Sequence, residues 1–231
     1  MPRPLVGTIT IGQAPRPDVT PILEAHLPPG TQCVHAGVLD GLAPDEIAAR
    51  FGHRAGDRLL VTRLLDGTSV RLDGARVGRA VHALVETLEA QGCGVIVVLC
   101  TGVFHGLTSR AAWLVEPDRV IPPLLNAMLG AQALGVMVPD AAQVASEEGK
   151  WGALPQPPAF AAASPYAHDV SALRAGAVTL RDHGAAAIIL DCIGYTEFHR
   201  QVAAEAAGLP VLLSNAIVAR VTGELVSSWG N

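Results

Sequence analysis

One frame occurs twice in this chain, and it constrains the fold more than any other feature. Residues 92–102 read GCGVIVVLCTG and residues 184–196 read GAAAIILDCIGYT. In each, a glycine stands eight residues before a cysteine, and a second glycine stands two residues after it. Between them lies an apolar run of strand length without alternation, the pattern of a strand covered on both faces. Upstream runs a helical period: Val77, Val81, Leu84, Val85 and Leu88 before Gly92, and Val170, Leu173, Ala177 and Leu180 before Gly184. A helix stopped by glycine, then a buried strand, then a cysteine in a loop, is one turn of a parallel α/β layer. The spacing continues, since 22 residues separate Cys100 from Pro122 and Cys192 from Ser214, each endpoint predicted to close a short apolar strand.

The rest of the chain arranges itself around that repeat. Residues 5–11, LVGTITI, predict a first strand running into the loop GQAPRPD, followed by a helix and a second strand over 33–39. Residues 59–65 and 69–72 flank Asp66-Gly67, the dipeptide that most strongly favours a tight hairpin turn, so an antiparallel hairpin is inserted here. A helix over 108–114, a strand at 120–122 and a helix from 124 precede a restart at Leu134, where LGVMVPD repeats the opening grammar. Strands at 188–192 and 210–213 and a helix from 215 close the chain. The predicted fold is α/β: two doubly wound parallel-sheet lobes related by a pseudo-twofold axis, with a cleft between them and a hairpin insertion in the first. The first lobe spans 1–130 and the second 131–231, with the final helix, 215–231, able to pack back on the first.

Composition decides what such a body binds. Half of the 231 residues are hydrophobic and 16% are charged, which suits strands buried on both faces. A formal net charge of −5 leaves no basic surplus to neutralise phosphates, so nucleic acid and anionic membranes are excluded as expected partners and small molecules are favoured. The opening residues lack the pattern of a secretory signal, and a cytoplasmic location is expected. Four cysteines with no C-x-x-C pair predict reduced thiols. None of the eight histidines shows metal-ligand spacing, and no metal is expected.

Ligands of open parallel sheets bind at the carboxyl ends of the strands, which is where both cysteines of the frame fall. A thiol beside a glycine and unpaired loop amides sits where the thiolate is favoured, so Cys100 and Cys192 are the candidate catalytic residues. Thr101, Gly102 and Gly194 lie in the same loops, with amides able to hold a carboxylate or a developing oxyanion. Gln13 and Arg16 occupy the first loop, where the guanidinium suits a bidentate grip on a carboxylate or a surface ion pair. Ser214 and Asn215 follow the last strand. Helix capping is the alternative role of Thr101, Thr196 and Asn215.

Four stretches carry a resemblance: TIGQAPRPD, the CTG loop, LDCIGYT and LLSNAIVAR. With them the whole chain resembles the AroM family, a branch of the aspartate/glutamate racemase superfamily. The resemblance implies cofactor-independent chemistry, without metal or pyridoxal, at the carbon alpha to a carboxylate or carbonyl. Cys100 and Cys192 would then act as general base and general acid on opposite faces of one carbon. Amino-acid racemases of the superfamily carry CNT after the first cysteine and GCTH around the second, whereas this chain has CTG and DCIGYT. With no histidine directly after Cys192, Tyr195 and Thr196 are the candidate donors to substrate, and His199 stands seven residues on. A lyase (decarboxylase) or cis-trans isomerase with one essential cysteine, and a non-catalytic small-molecule binding protein, are the alternatives on the same fold. A homodimer is compatible with it.

Overall fold

The computed structural model describes residues 4–227 and 229. The chain forms two compact units, residues 1–117 with 218–231, and residues 118–217. The division therefore falls after Pro117, ahead of the boundary at 130 drawn from the sequence.

In the first unit the elements run β1 (Leu5–Thr10), α1 (Thr20–Glu24), β2 (Cys33–Gly37), α2 (Pro44–Phe51), β3 (Leu59–Arg63), β4 (Ser69–Asp73), α3 (Gly74–Ala90), β5 (Cys93–Leu99) and β6 (Trp113–Val115). Four of these strands make a parallel sheet in the order β2-β1-β5-β6. From Val95 to Val98, β5 is completely buried, which is why its side chains do not alternate. Asp73 starts α3 by accepting hydrogen bonds from the Ala75 and Arg76 amides at 2.8 and 3.2 Å. The helix then buries Val77, Val81, Val85 and Leu88 as one stripe and stops at Gly92, whose φ of +87° is open to glycine at no steric cost. The hairpin pairs β3 with β4 around Gly67, with Leu60 opposite Leu72.

The second unit opens with α4 (Pro117–Leu129) and runs through β7 (Leu134–Val138), α5 (Val144–Glu147), β8 (Ala159–Ala162), α6 (Ser171–Asp182), β9 (Ala187–Leu190), α7 (Glu197–Ala207), β10 (Val211–Leu213) and α8 (Ser214–Ser227). Its sheet is also parallel, in the order β10-β9-β7-β8. Both units are thus parallel sheets flanked by helices with one shared strand order, interrupted in the first by the hairpin. From Val218 onward α8 belongs to the first unit.

Two expectations fail between 108 and 129. Residues 120–122 are not a strand but the middle of α4, which carries Pro122 and Pro123 inside it. Each proline forfeits an i→i−4 hydrogen bond, and the burial of Ile121 and Leu125 one helical turn apart offsets that loss. The 22-residue match of the repeat is therefore accidental, because Pro122 closes no strand. Nor are residues 108–114 helical. Glu89 Oε1 accepts hydrogen bonds from the Arg110, Ala111 and Ala112 amides at 2.8, 2.7 and 3.0 Å, which holds this stretch as a loop leading into β6. Among the described residues, no helix is long and apolar enough to cross a membrane.

Candidate functional site

In both units a cysteine leaves the end of a central strand and a glycine amide turns back onto its sulfur. Gly102 N–H donates to Cys100 Sγ at 3.4 Å, and Gly194 N–H donates to Cys192 Sγ at 3.5 Å. Both cysteines are 8% exposed, so each is nearly enclosed. An N–H aimed at sulfur favours the thiolate over the thiol. No disulfide forms among the described residues.

Around Cys100 the wall is the hairpin. β1 and β5 are neighbours, so the loops after them lie side by side, and the hairpin is seated on both. A Cβ on Gly12 would stand 2.7 Å from Thr62 Oγ1, and one on Gly102 would stand 2.6 Å from Leu60 Cδ2. Only glycine admits so close an approach at these two positions. Gln13 Oε1 accepts from the Leu65 amide at 3.1 Å, which ties the opening loop to the hairpin. Thr101 is buried beside Cys100.

Arg16 is 5% exposed and grips a carboxylate in the bidentate manner expected, but that carboxylate is Asp18. Nε and Nη2 donate to its two oxygens at 2.8 and 2.7 Å, while Nη1 reaches Thr62 Oγ1 at 3.4 Å. Burial alone would push the Asp18 carboxyl up; the Arg16 hydrogen bond and charge, with a smaller part from Arg63, outweigh it and hold the group below its usual value. Arg16 therefore fixes the loop and the hairpin to one another.

In the second unit the loop after β9 is pinned at nearly every residue. Ser214 Oγ donates to the Leu190 carbonyl at 2.9 Å, and Asn215 Nδ2 donates to the carbonyls of Ile193 and Tyr195 at 2.9 and 2.5 Å. Tyr195 is completely buried, and its hydroxyl donates to the Ala163 carbonyl. Burial first, then the neighbouring Cys192, Asp191 and Tyr166, push its phenol well above 10, so it remains a donor. Thr196 precedes α7, where its amide donates to His199 Nδ1 at 2.9 Å and its hydroxyl lies 2.9 Å from the same nitrogen. The hydroxyl of Tyr195, the hydroxyl of Ser214 and the amide nitrogen of Asn215 are thus committed to backbone carbonyls. These bonds fix the shape of the loop that carries Cys192 and Gly194.

Lys150 and Arg58 escape a reading of the sequence. Lys150 and Asp191 form a fully buried ion pair next to Cys192, with Nζ 2.8 and 2.6 Å from the two carboxylate oxygens and 3.6 Å from Glu147 Oε2. Burial pulls the Lys150 ammonium down, but Asp191 and Glu147 more than reverse it, and the lysine stays charged. Arg58, one residue before β3, reaches the Cys100 loop, where a Cβ on Gly102 would stand 3.7 Å from its Nη1. No cluster of three or more histidine, cysteine or carboxylate side chains able to hold a metal ion occurs among the described residues.

This arrangement can be set beside known proteins. A family model described as AroM protein matches residues 6–226. A search of curated protein sequences finds no match. Among solved structures, unliganded arylmalonate decarboxylase is similar with a TM-score of 0.60 at 15% identity, over 99% of this chain and 94% of that one. Allantoin racemase from Pseudomonas fluorescens gives 0.61 at 17% identity, over 97% and 91%. Glutamate racemase from Francisella tularensis, in complex with D-glutamate, gives 0.63 at 12% identity, over 98% and 81%. At such identities the likeness shows the fold, which is racemase-like across nearly the whole chain.

Proposed function

Because this chain belongs to the AroM family, within a racemase-like fold, we propose that it is a cofactor-independent racemase or epimerase acting at the carbon alpha to a carboxylate or carbonyl of a small acid. The observation that carries this reading is the duplicated device, a cysteine after each central strand with a glycine amide on its sulfur. Two thiols that share this amide arrangement suit a reaction whose forward and reverse directions are chemically alike.

In this mechanism one thiolate takes the alpha proton, and the electron pair of the broken C–H bond delocalises into the adjacent carboxylate as an enolate. The opposing thiol gives its proton to the other face of the carbon. The centre is inverted, and the two sulfurs have exchanged protonation states. Each positioned acid or base contributes about 10²- to 10⁴-fold in rate. Gly102 and Gly194, with Thr101 beside Cys100, are the groups proposed to meet the carboxylate, where oriented donors act most strongly as negative charge develops, while Thr196 caps the following helix. Gln13, Arg16, Tyr195, Ser214 and Asn215 hold the loops in place.

Solvent exchange tests this. Incubated in heavy water with a panel of small chiral carboxylic acids, the protein is expected to incorporate deuterium at the alpha carbon of its substrate, read by proton NMR. Cys100→Ser and Cys192→Ser should each reduce turnover by about 10²-fold or more. Retention of full racemisation by either variant sinks the two-base mechanism. Loss of carbon dioxide from a malonate-type acid, abolished by only one of the two changes, would establish the decarboxylase in its place.

A further inference from the structure

Tyr166 stands in the loop that leaves the carboxyl end of β8, and that loop is tied twice to groups that follow Cys192. The Ala163 carbonyl accepts the Tyr195 hydroxyl, and the Pro165 carbonyl is bonded by the ring of His199. Tyr166 N–H itself donates to Ser164 Oγ at 3.2 Å, which tightens the turn. The backbone on the approach to the tyrosine is thus fixed from the Cys192 side. A side chain presented in this way is oriented before any ligand arrives.

The far end of that side chain lies on Gly194. A Cβ placed there would meet the Tyr166 hydroxyl oxygen first, then Cε1 at 2.7 Å and Cζ at 2.8 Å. These are closer than packed carbon atoms come, so the phenol takes the place a side chain would fill. Gly194 is also the residue whose amide donates to Cys192 Sγ at 3.5 Å. After burial, the neighbouring Cys192, Asp191 and Tyr166 push the Tyr195 phenol up, which sets Cys192 and Tyr166 near one and the same hydroxyl. Sulfur and phenol therefore border one space, with Cys192 8% exposed and Tyr166 half-buried. Over the corresponding glycine of the first unit the wall is of another kind: a Cβ on Gly102 would meet Leu60 Cδ2 at 2.6 Å. The duplicated cysteine device is thus bounded by the tip of a flexible aliphatic chain in one unit and by an aromatic ring, which has few rotamers and yields little, in the other.

We propose that Tyr166 is the specificity-determining residue of the Cys192 half of the site, its ring bounding the space beside the sulfur so that only a compact ligand group is admitted there. A rigid wall selects by exclusion, so the substrate class is narrowed to small acids with no aryl or branched group on the face that meets Cys192. The inference rests on the proposed function only in taking Cys192 to be part of the site.

The test reads the space at Cys192 without turnover. Full-length protein is alkylated with iodoacetamide and, separately, with N-phenylmaleimide, one reagent compact and the other carrying an aryl group, and modification of Cys100 and Cys192 is followed by peptide mass. The ratio of the aryl to the compact rate at Cys192 should rise about tenfold or more in Tyr166→Ala, while the same ratio at Cys100 stays within about twofold. Tyr166→Leu, too short to cover Gly194, should act in the same direction and serves if Tyr166→Ala does not fold. Tyr166→Phe keeps the ring and should keep the parent ratio. An unchanged ratio at Cys192 in Tyr166→Ala and Tyr166→Leu, or an equal rise at Cys100, overturns the proposal. A rise of the same size in Tyr166→Phe overturns the steric assignment, because the hydroxyl and not the ring would then be selecting. Selection that depends on Tyr166 in a protein that exchanges no alpha proton would leave the wall standing and remove the racemase; alpha-proton exchange with a ratio that ignores Tyr166 would do the reverse.

Discussion

His199 shows how a residue near a reactive cysteine can serve structure instead of chemistry. Its Nδ1 accepts the Thr196 amide, and the ring also bonds the Pro165 carbonyl, so both nitrogens are occupied and the imidazole is neutral. Burial lowers its pKa from 6.5, with the Pro165 bond pulling the other way. The unfolded chain then binds a proton more readily than the native one, so this contribution to stability is full above about pH 6.5 and declines as pH falls through the native value. Glutamine at this position keeps the capping-box acceptor but does not titrate. The urea midpoint of the parent should fall more steeply between pH 7 and 5 than that of His199→Gln; parallel profiles would refute the assignment. At this scale the sequence displays Cys100 and Cys192, because an apolar run ending in a thiol beside glycine stands out. It does not display Lys150, whose partner Asp191 lies 41 residues away. Asp18, by contrast, sits two residues from Arg16, and the pairing is visible once the loop is known to be tight.

Elements are legible where the local pattern and the tertiary environment agree. Helix α3, with its stripe of valines and its glycine stop, and the hairpin, with Asp66-Gly67, are such cases. Residues 108–112 are not, because their conformation is decided by Glu89, a residue on the preceding helix with 21 or more positions between it and the amides it holds. The three amide bonds keep the Glu89 carboxyl below its usual value despite its accessibility. Glu89→Gln weakens all three at once by removing the charge. Each hydrogen bond to a charged group contributes about 1.5 to 3 kcal/mol, less in so open a position. Amide hydrogen exchange at Arg110, Ala111 and Ala112 should accelerate roughly tenfold or more while the α3 core is unaffected. Uniform acceleration across the unit would show that Glu89 supports the fold as a whole and not this loop. Pro122 and Pro123 mislead for a related reason, since two local penalties are offset by the burial of Ile121 and Leu125.

Across the whole molecule the duplication goes deeper than the cysteine frame. The order β2-β1-β5-β6 corresponds position for position to β8-β7-β9-β10. In each unit the first strand carries a glycine against the last leucine of the following long helix. A Cβ on Gly7 would stand 2.9 Å from Leu88 Cδ1, and one on Gly135 would stand 3.0 Å from Leu180 Cβ. Leu88 and Leu180 each precede the helix-ending glycine by four residues, so the frame of the repeat extends back to leucine. That count is available from the sequence; the pairing with Gly7 and Gly135 becomes visible only once the sheets are formed. The two contacts differ in what can yield. At Gly7 the nearest obstacle is the tip of a leucine side chain, with Cys93 Sγ at 3.2 Å, whereas at Gly135 it is a Cβ fixed to the helix backbone, with Ala185 Cβ at 3.2 Å on the other side. Gly135→Ala should therefore cost about 1 to 3 kcal/mol by overpacking. Gly7→Ala should stay within roughly 1 kcal/mol, because Leu88 can move and the unfolded chain loses freedom. Truncating the obstacle separates the two further: Leu88→Ala removes the atom that a Gly7→Ala methyl would meet, while Leu180→Ala leaves its Cβ in place. In urea unfolding, the double change at Gly7 and Leu88 should cost less than the sum of its parts, and the double change at Gly135 and Leu180 should be additive or nearly so. Equal coupling in both units would mean that the helices, not the side chains, absorb the added methyl.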